Sequence, residues 1–516
     1  MRKSIASLLF MALAFFAWQA LHIANVHAGS DGGWLQWGRT PQHNGTSPVV
    51  SLVPSAQLAD ITYDPFVAQE QAESGGELLA HYQVPLIDGD MVFLEYKTGT
   101  YTSCDPPGSR LPYPCGPDAW NGENWNERGY QWQNGALVEK WNYASDWKPE
   151  PNSNAGGRNE ATVGLEGWEP VFHAAAGNGF IYVPGAGGSV HKLRESDGAV
   201  VSNFSPLGNY ANVFVSGPLT LDAVGNLYYN ALALDNEFPW TADARGGWLV
   251  KITPSGVVTT ATFSSLVPDA VQMCFGGLIP CGSQRPGLNV APVISPDGKT
   301  VYTVSRGQFI IWAAYLIAAN TKDLSPQWDT YLFGQVNPGA AVYVFDFASS
   351  SPTVAPDGSI LFAALSAANG FMMKFSPAGK YLAAFNFGWD STPAVYAHDG
   401  TYSVILKDNL YANNGPYFIT QLNADMVPEW SFRNDTIDAD HPHGYEWCVN
   451  APAVDANGTV YANSEDGNVY VIDNTGKLKG KIFLRTSIEA AYTPVAIGPD
   501  GKIYTENDGD MFALGQ

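Results

Sequence analysis

Residues 451–484 read APAVDANGTVYANSEDGNVYVIDNTGKLKGKIFL. Four short apolar runs, at 453–454, 460–461, 469–472 and 482–484, are separated by Asn457-Gly458, Asp466-Gly467 and Thr475-Gly476. Such pairs tolerate the backbone of tight hairpin turns, so the stretch is expected to be a four-stranded antiparallel meander. A lone sheet of this kind leaves both faces in water, so it needs stacked copies of itself.

Working outward, the opening of this unit recurs: a small residue and Pro, an apolar pair, a Gly turn, then an aromatic or apolar strand. Eight such starts lie at Pro85, Pro170, Pro218, Pro292, Pro352, Pro393, Pro452 and Pro494. Proline is tolerated at a strand's first position, where no ladder hydrogen bond is required of it. The starts are 85, 48, 74, 60, 41, 59 and 42 residues apart, so a bare unit takes about 41 residues and the excess marks insertions. An all-β, eight-bladed β-propeller of four-stranded antiparallel blades is expected over residues 29–516. The last copy ends at GDMFALGQ without an outer strand. An early segment, either 35–37 or 58–63, is expected to supply it and close the ring. The largest excess, at about 98–167, is rich in Trp, Gly and Pro. It is expected to fold over one face, with Trp120, Trp125, Trp132, Trp141 and Trp147 needing partners.

Composition narrows the class. Arg2 and Lys3 precede an apolar run at 8–20 and the small residues up to Ala28, the order of a secretory signal peptide at 1–28. The processed chain would carry 24 Lys and Arg against 49 Asp and Glu, a net charge of −25. That charge repels nucleic acid and anionic membranes. A secreted or periplasmic monomer without a membrane span is expected. In such a compartment Cys104 with Cys115, and Cys274 with Cys281, are candidate local disulfides, leaving Cys448 over. No CxxCH, HExxH or GxSxG motif occurs.

The repeated strand ending in Asp/Ser-x-x-Gly-Lys, together with the early GGWLQWGRTPQHNGTSP (Trp34, Gly38, Arg39, Ser47, Pro48), resembles the PQQ-type, quinoprotein alcohol dehydrogenase-like β-propellers over residues 34–516. For the family's enzymes this resemblance implies PQQ on the central axis beside Ca²⁺ or a lanthanide. Glu, Asn and Asp ligands, an aspartate base and often two adjacent cysteines would accompany it. No two cysteines are adjacent here, and no Glu, Asn or Asp matches the family's ligand motifs, so no catalytic residue is carried over. The same propeller also serves as a non-catalytic scaffold.

In a propeller the innermost strands line the axis, so residues just before each repeated proline gather at one mouth. This nominates Trp168, Glu169, Arg285, Asp346, Trp389, Asp390, His441, His443, Glu446, Trp447, Glu489 and Tyr492 as a ligand-binding rim. Its acids and aromatics suit a cation, an amine, a carbohydrate stacked on Trp or a basic peptide better than the three carboxylates of PQQ. The densest stretch, DADHPHGYEWC at 438–448, pairs His441 and His443 with carboxylates, donors that suit zinc or copper, although the two-residue spacing matches no known motif and favours a structural loop. The leading expectation is an exported, non-catalytic scaffold binding a protein or small ligand, with no cofactor assigned. The alternatives are a divergent PQQ-dependent dehydrogenase, with Ca²⁺ or a lanthanide, and a carbohydrate-active propeller.

Overall fold

The computed structural model describes residues 32–73, 78, 82–101, 122–148, 171–208, 212–234, 243–346, 350–366, 369–388, 391–409, 415–486 and 493–516. The signal-peptide segment, Cys104 and Cys115 lie outside them. Eight antiparallel sheets of four principal strands form a propeller ring. The stretch at 451–484 is blade 7, with strands Ala453–Val454, Val460–Asn463, Asn468–Ile472 and Leu478–Phe483. Its first turn forms because the Asp455 carboxylate accepts the N–H groups of Asn457 (2.9 Å) and Thr459 (2.8 Å) while Gly458 takes φ +77°. Asp297, Asp357 and Asp500 sit two residues later in the equivalent turns of other blades and each accept one N–H, from Lys299, Ser359 and Lys502.

Seven of the eight prolines sit within two residues of the innermost strand of a blade, as in Leu86–Asp88 after Pro85 and Val495–Ile497 after Pro494. Pro170 is the exception, five residues before Ala175–Gly177. Middle strands such as Leu227–Ala233 and Ile360–Ser366 are buried throughout. The core is therefore a set of apolar layers between blades, and in sequence these strands are near-continuous apolar runs.

Closure comes from the later of the two candidate segments. Ala56–Thr62 pairs antiparallel with Asp510–Gly515, from Ala56 opposite Gly515 to Thr62 opposite Asp510, and completes blade 8. The earlier segment has another task. Residues 34–52 run around the axis at the end where the innermost strands finish, bonding to one blade after another. Trp34 exchanges two backbone bonds with Ile87 (2.8 and 2.7 Å), Leu35 O accepts from Ala176 N–H (2.7 Å), and the Gln36 side chain accepts from Leu221 N–H (2.6 Å). Pro41, Gln42, Asn44 and Gly45 carbonyls then accept from Ile294 (2.8 Å), Val354 (2.9 Å), Val395 (2.7 Å) and Val454 (3.0 Å), and the Ser51 hydroxyl donates to Gly501 O (2.7 Å). An innermost strand has one unpaired edge, and this segment satisfies its orphan N–H groups. One end of the axis is thereby plugged.

The stretch at 98–167 differs from expectation. Glu123–Gln133 and Ala136–Ala144 are the third and fourth strands of blade 1, so part of the presumed covering is propeller. Its tryptophans pack between blades: Trp125 against Trp147 at 5.1 Å, and Trp147 against Phe172 at 5.4 Å. Trp132 donates to the Tyr504 hydroxyl of blade 8 (2.7 Å). The excess before Pro292 contains a small hairpin closed by the Cys274–Cys281 disulfide. Among the described residues no helix is long and apolar enough to cross a membrane.

Candidate functional site

Innermost strands start at the mouth opposite the plug, and second strands return to it. The mouth is thus built from two chain positions in each blade. The segments before the innermost strands are tied from blade to blade. The Gln83 side chain accepts from Ala174 N–H (2.6 Å), Ser351 Oγ from Ala291 N–H (2.9 Å), Thr392 Oγ1 from Ser351 N–H (3.0 Å) and Asn450 Oδ1 from Thr392 N–H (2.8 Å). Asn289, at φ +60°, accepts from Val171 N–H (3.0 Å). These side chains make a fixed frame.

Of the nominated rim residues, the structure joins Arg285 and Asp346. Arg285 donates to Asp346 Oδ1 at 3.1 Å and also to Oδ2, and Arg306 Nη1 donates to Oδ2 at 3.1 Å. All three are at most 3% exposed. Burial pushes the Asp346 carboxyl up, but attraction to Arg285 and Arg306 outweighs it and holds the carboxyl below its usual range. The planar guanidinium fork suits this bidentate geometry.

The 438–448 loop does not bring its two histidines onto one point. His441 stacks on Tyr445 at 4.0 Å between ring centres and its Nδ1 lies 3.0 Å from Asp438 Oδ1. His443 is exposed, and its carbonyl accepts from Arg433 (3.1 Å). Asp438, on the surface, is held down to about 2 first by the Tyr445 hydroxyl. Trp447 is buried, with Tyr470 at 5.1 Å and Phe432 at 6.1 Å. Glu446 is half-buried near Asn409, whose amide lies 3.5 Å from it. Trp168, Glu169, Trp389, Asp390, Glu489 and Tyr492 lie outside the described residues.

A second set escapes the proline rule because it sits on second and third strands and on the crossover from blade 8 to blade 1. Lys97, fully buried, donates to Asp64 (2.7 Å) and Glu70 (3.4 Å), and the Tyr82 hydroxyl donates to the same Asp64 oxygen (2.7 Å). Tyr63 donates to Glu506 (3.2 Å), and burial pushes the Glu506 carboxyl well above its usual range. Glu127, cross-strand from Glu95, accepts from Gln83 (2.9 Å). Burial raises it to about 8, against the opposing pull of that hydrogen bond. Asp408, at the end of a blade 6 strand beside Lys407, rises to about 6 for the same reason. The available signal was a charge closing an apolar strand: Glu95 and Lys97 in MVFLEYKTG, Lys407-Asp408 in SVILKD, Glu506 in IYTEN.

Behind the mouth, the axis is filled. His43, wholly buried, places Nδ1 3.0 Å from Pro352 O and Nε2 3.3 Å from Thr220 Oγ1. His173 meets Trp37 edge-on at 5.7 Å. Burial lowers His43 to about 4 and His173 to about 3, so both are neutral.

No family model and no curated protein matches the sequence. Solved structures do match. A europium-containing methanol dehydrogenase aligns over 92% of this chain and 89% of its own, with TM-score 0.56 at 12% identity. The quinohemoprotein alcohol dehydrogenase from Comamonas testosteroni aligns over 94% of this chain and 81% of its own, with TM-score 0.55 at 11% identity. BamB from Moraxella catarrhalis covers 89% of this chain and 97% of its own at TM-score 0.44 and 12% identity. The chain has the fold of a quinoprotein-type eight-bladed β-propeller. Identity this low establishes the fold alone.

Whether PQQ suits this quinoprotein-type mouth is a question of donors. Among the described residues no three His, Cys, Asp or Glu side chains converge as metal ligands, and Cys448 is a single buried thiol. The Arg285 fork, which could meet a quinone carboxylate, is engaged by Asp346. At the described mouth the Arg285 and Arg306 guanidiniums are both taken, so the carboxylates of PQQ would need other donors.

Proposed function

We propose that the protein is an exported, non-catalytic receptor that holds a polar small molecule or a protein segment at the axial mouth opposite the plug. The observation that carries this reading is that three buried cations of the mouth are each committed to a carboxylate. Arg285 and Arg306 hold Asp346, and Lys97 holds Asp64, which makes a rigid frame rather than a converging catalytic set. Export is supported by the Cys274–Cys281 bridge, since disulfides persist in oxidising compartments.

The test is to purify the exported protein and titrate PQQ with Ca²⁺ and, separately, with a lanthanide, following bound quinone and dye reduction with alcohols and sugars. No stoichiometric uptake is expected. Uptake with dye reduction would replace this reading by that of a divergent quinoprotein dehydrogenase, which the likeness to two alcohol dehydrogenases over more than nine-tenths of the chain favours. A glycan array with product analysis separates carbohydrate binding from cleavage. Mass spectrometry of the secreted chain is expected to find its N-terminus at Gly29.

A further inference from the structure

The plugged end carries a cleft of its own, between residues 32–48 and the first turns of blades 2 and 3. Its volume is about 180 Å³, and Gln36, Arg39, Thr40, Asn178 and Asp222 line it together with several glycines. One water needs roughly 10–15 Å³ of such space, so the cleft takes a molecule of several atoms.

Two side chains there hold donors that the protein does not use. Gln36 is 4% exposed. Its Oε1 must be the acceptor, because its partner at 2.6 Å is the N–H of Leu221. The remaining NH₂ has no partner among the described residues. Arg39, largely buried, donates through Nη1 to Thr46 O (3.0 Å). Its buried Nε has no partner, and Nη2 has none among the described residues. The Nε–Nη2 edge, two parallel N–H groups, is therefore free. Desolvation alone draws the guanidinium down to about 10, and no carboxylate offsets it. A buried, unpaired cation in a chain of net charge −23 is costly to maintain and is normally matched by an anion.

We propose that this cleft binds the oxyanion group of a small molecule, with Arg39 donating through its Nε–Nη2 edge and Gln36 through its amide. A carboxylate is the best match, since its two oxygens are spaced for that fork. Asp222 is the one carboxylate of the lining. Val224 N–H (3.0 Å), Asn226 N–H (2.8 Å), the Asn226 amide (2.7 Å) and the Tyr228 hydroxyl (3.3 Å) all donate to it, which spreads its charge within its own turn. Because the anion would bind only the folded chain, binding also stabilises it. This site lies at the opposite end from the proposed receptor mouth and stands independently of it.

The experiment is calorimetric titration of the full exported chain at low salt with acetate and with inorganic phosphate, chloride serving as control. One site per chain is expected, with acetate or phosphate preferred over chloride by at least about tenfold. Arg39→Lys keeps the charge and loses the fork. Gln36→Glu keeps the acceptor for Leu221 and replaces the donor by an oxygen. Each is expected to weaken binding at least about tenfold, with the anion-free melting temperature moving little in Arg39→Lys. No binding by the parent protein, affinity equal to that for chloride (an adventitious ion only), or variants that bind as the parent does would each overturn the proposal. If Gln36→Glu fails to fold, Arg39→Lys alone decides.

Discussion

The two ends of this propeller are closed by different chemistry. At the plugged end, main chain meets main chain: residues 34–52 give mostly carbonyls to the innermost strands, with neutral His43 at the centre. At the mouth, side chain meets side chain, and the groups are charged: Arg285, Arg306 and Asp346 on one side, Lys97 and Asp64 on the other. A backbone seal is insensitive to side-chain identity, whereas a charged frame fails when one partner is removed. Stability is therefore spread along the plug and concentrated in a few residues at the mouth.

The strongest way to break that contrast is Asp346→Ala. It leaves two buried guanidiniums without their shared carboxylate, and a loss of about 3–5 kcal/mol is expected in urea unfolding. A loss near zero would mean that the arginines do not depend on it. Replacing Arg285, Arg306 and Asp346 together by apolar residues is expected to recover most of the loss.

At the plug, His43→Leu removes two polar contacts of a ring already neutral, and about 1–3 kcal/mol is expected. Its pH signature sharpens the comparison. His43 and His173 are depressed to about 4 and about 3 from 6.5, so their contribution is present above 6.5 and is lost as pH falls through those values. His43→Leu should make unfolding midpoints less sensitive on the acid side.

The mouth side bears the opposite sign. Glu127 is raised from 4.5 to about 8. Its contribution is full below 4.5 and is lost as pH rises toward 8, because the unfolded carboxyl ionises while the folded one stays protonated. Glu127→Gln mimics the neutral form, so the loss between about pH 5 and about pH 8 should shrink by at least about 1.4 kcal/mol, the worth of one pKa unit. Equal slopes in variant and parent would place an ionised carboxylate there.

Much of the ring was legible because its signals are local. Asp455 and Gly458 make their turn from neighbours a few residues away, and each proline announces an innermost strand whatever the rest of the chain does. The strands Glu123–Gln133 and Ala136–Ala144 are hidden in the sequence because ENWNERGYQWQ is polar. Only their partners reveal why they are strands: Trp125 packs on Trp147, which meets Phe172 of blade 2, and Trp132 reaches Tyr504 of blade 8. In the candidate site, proximity to proline nominates Arg285 and Asp346, but not that each satisfies the other. It could not flag Lys97, Glu127 or Glu506, because their importance comes from burial.

By itself the sequence determined the repeat, the blade number and the need for an N-terminal strand, all of which follow from turn chemistry and strand period. Tertiary structure alone decided which early segment closes the ring. Ala56–Thr62 reaches the open edge of blade 8, whereas residues 34–52 meet the unpaired inner edges of blades 1 to 7 and the first turn of blade 8. It also decided that Arg39 and Gln36 face a cleft with donors to spare, since a hydrogen bond's partner is set by where the chain returns in space.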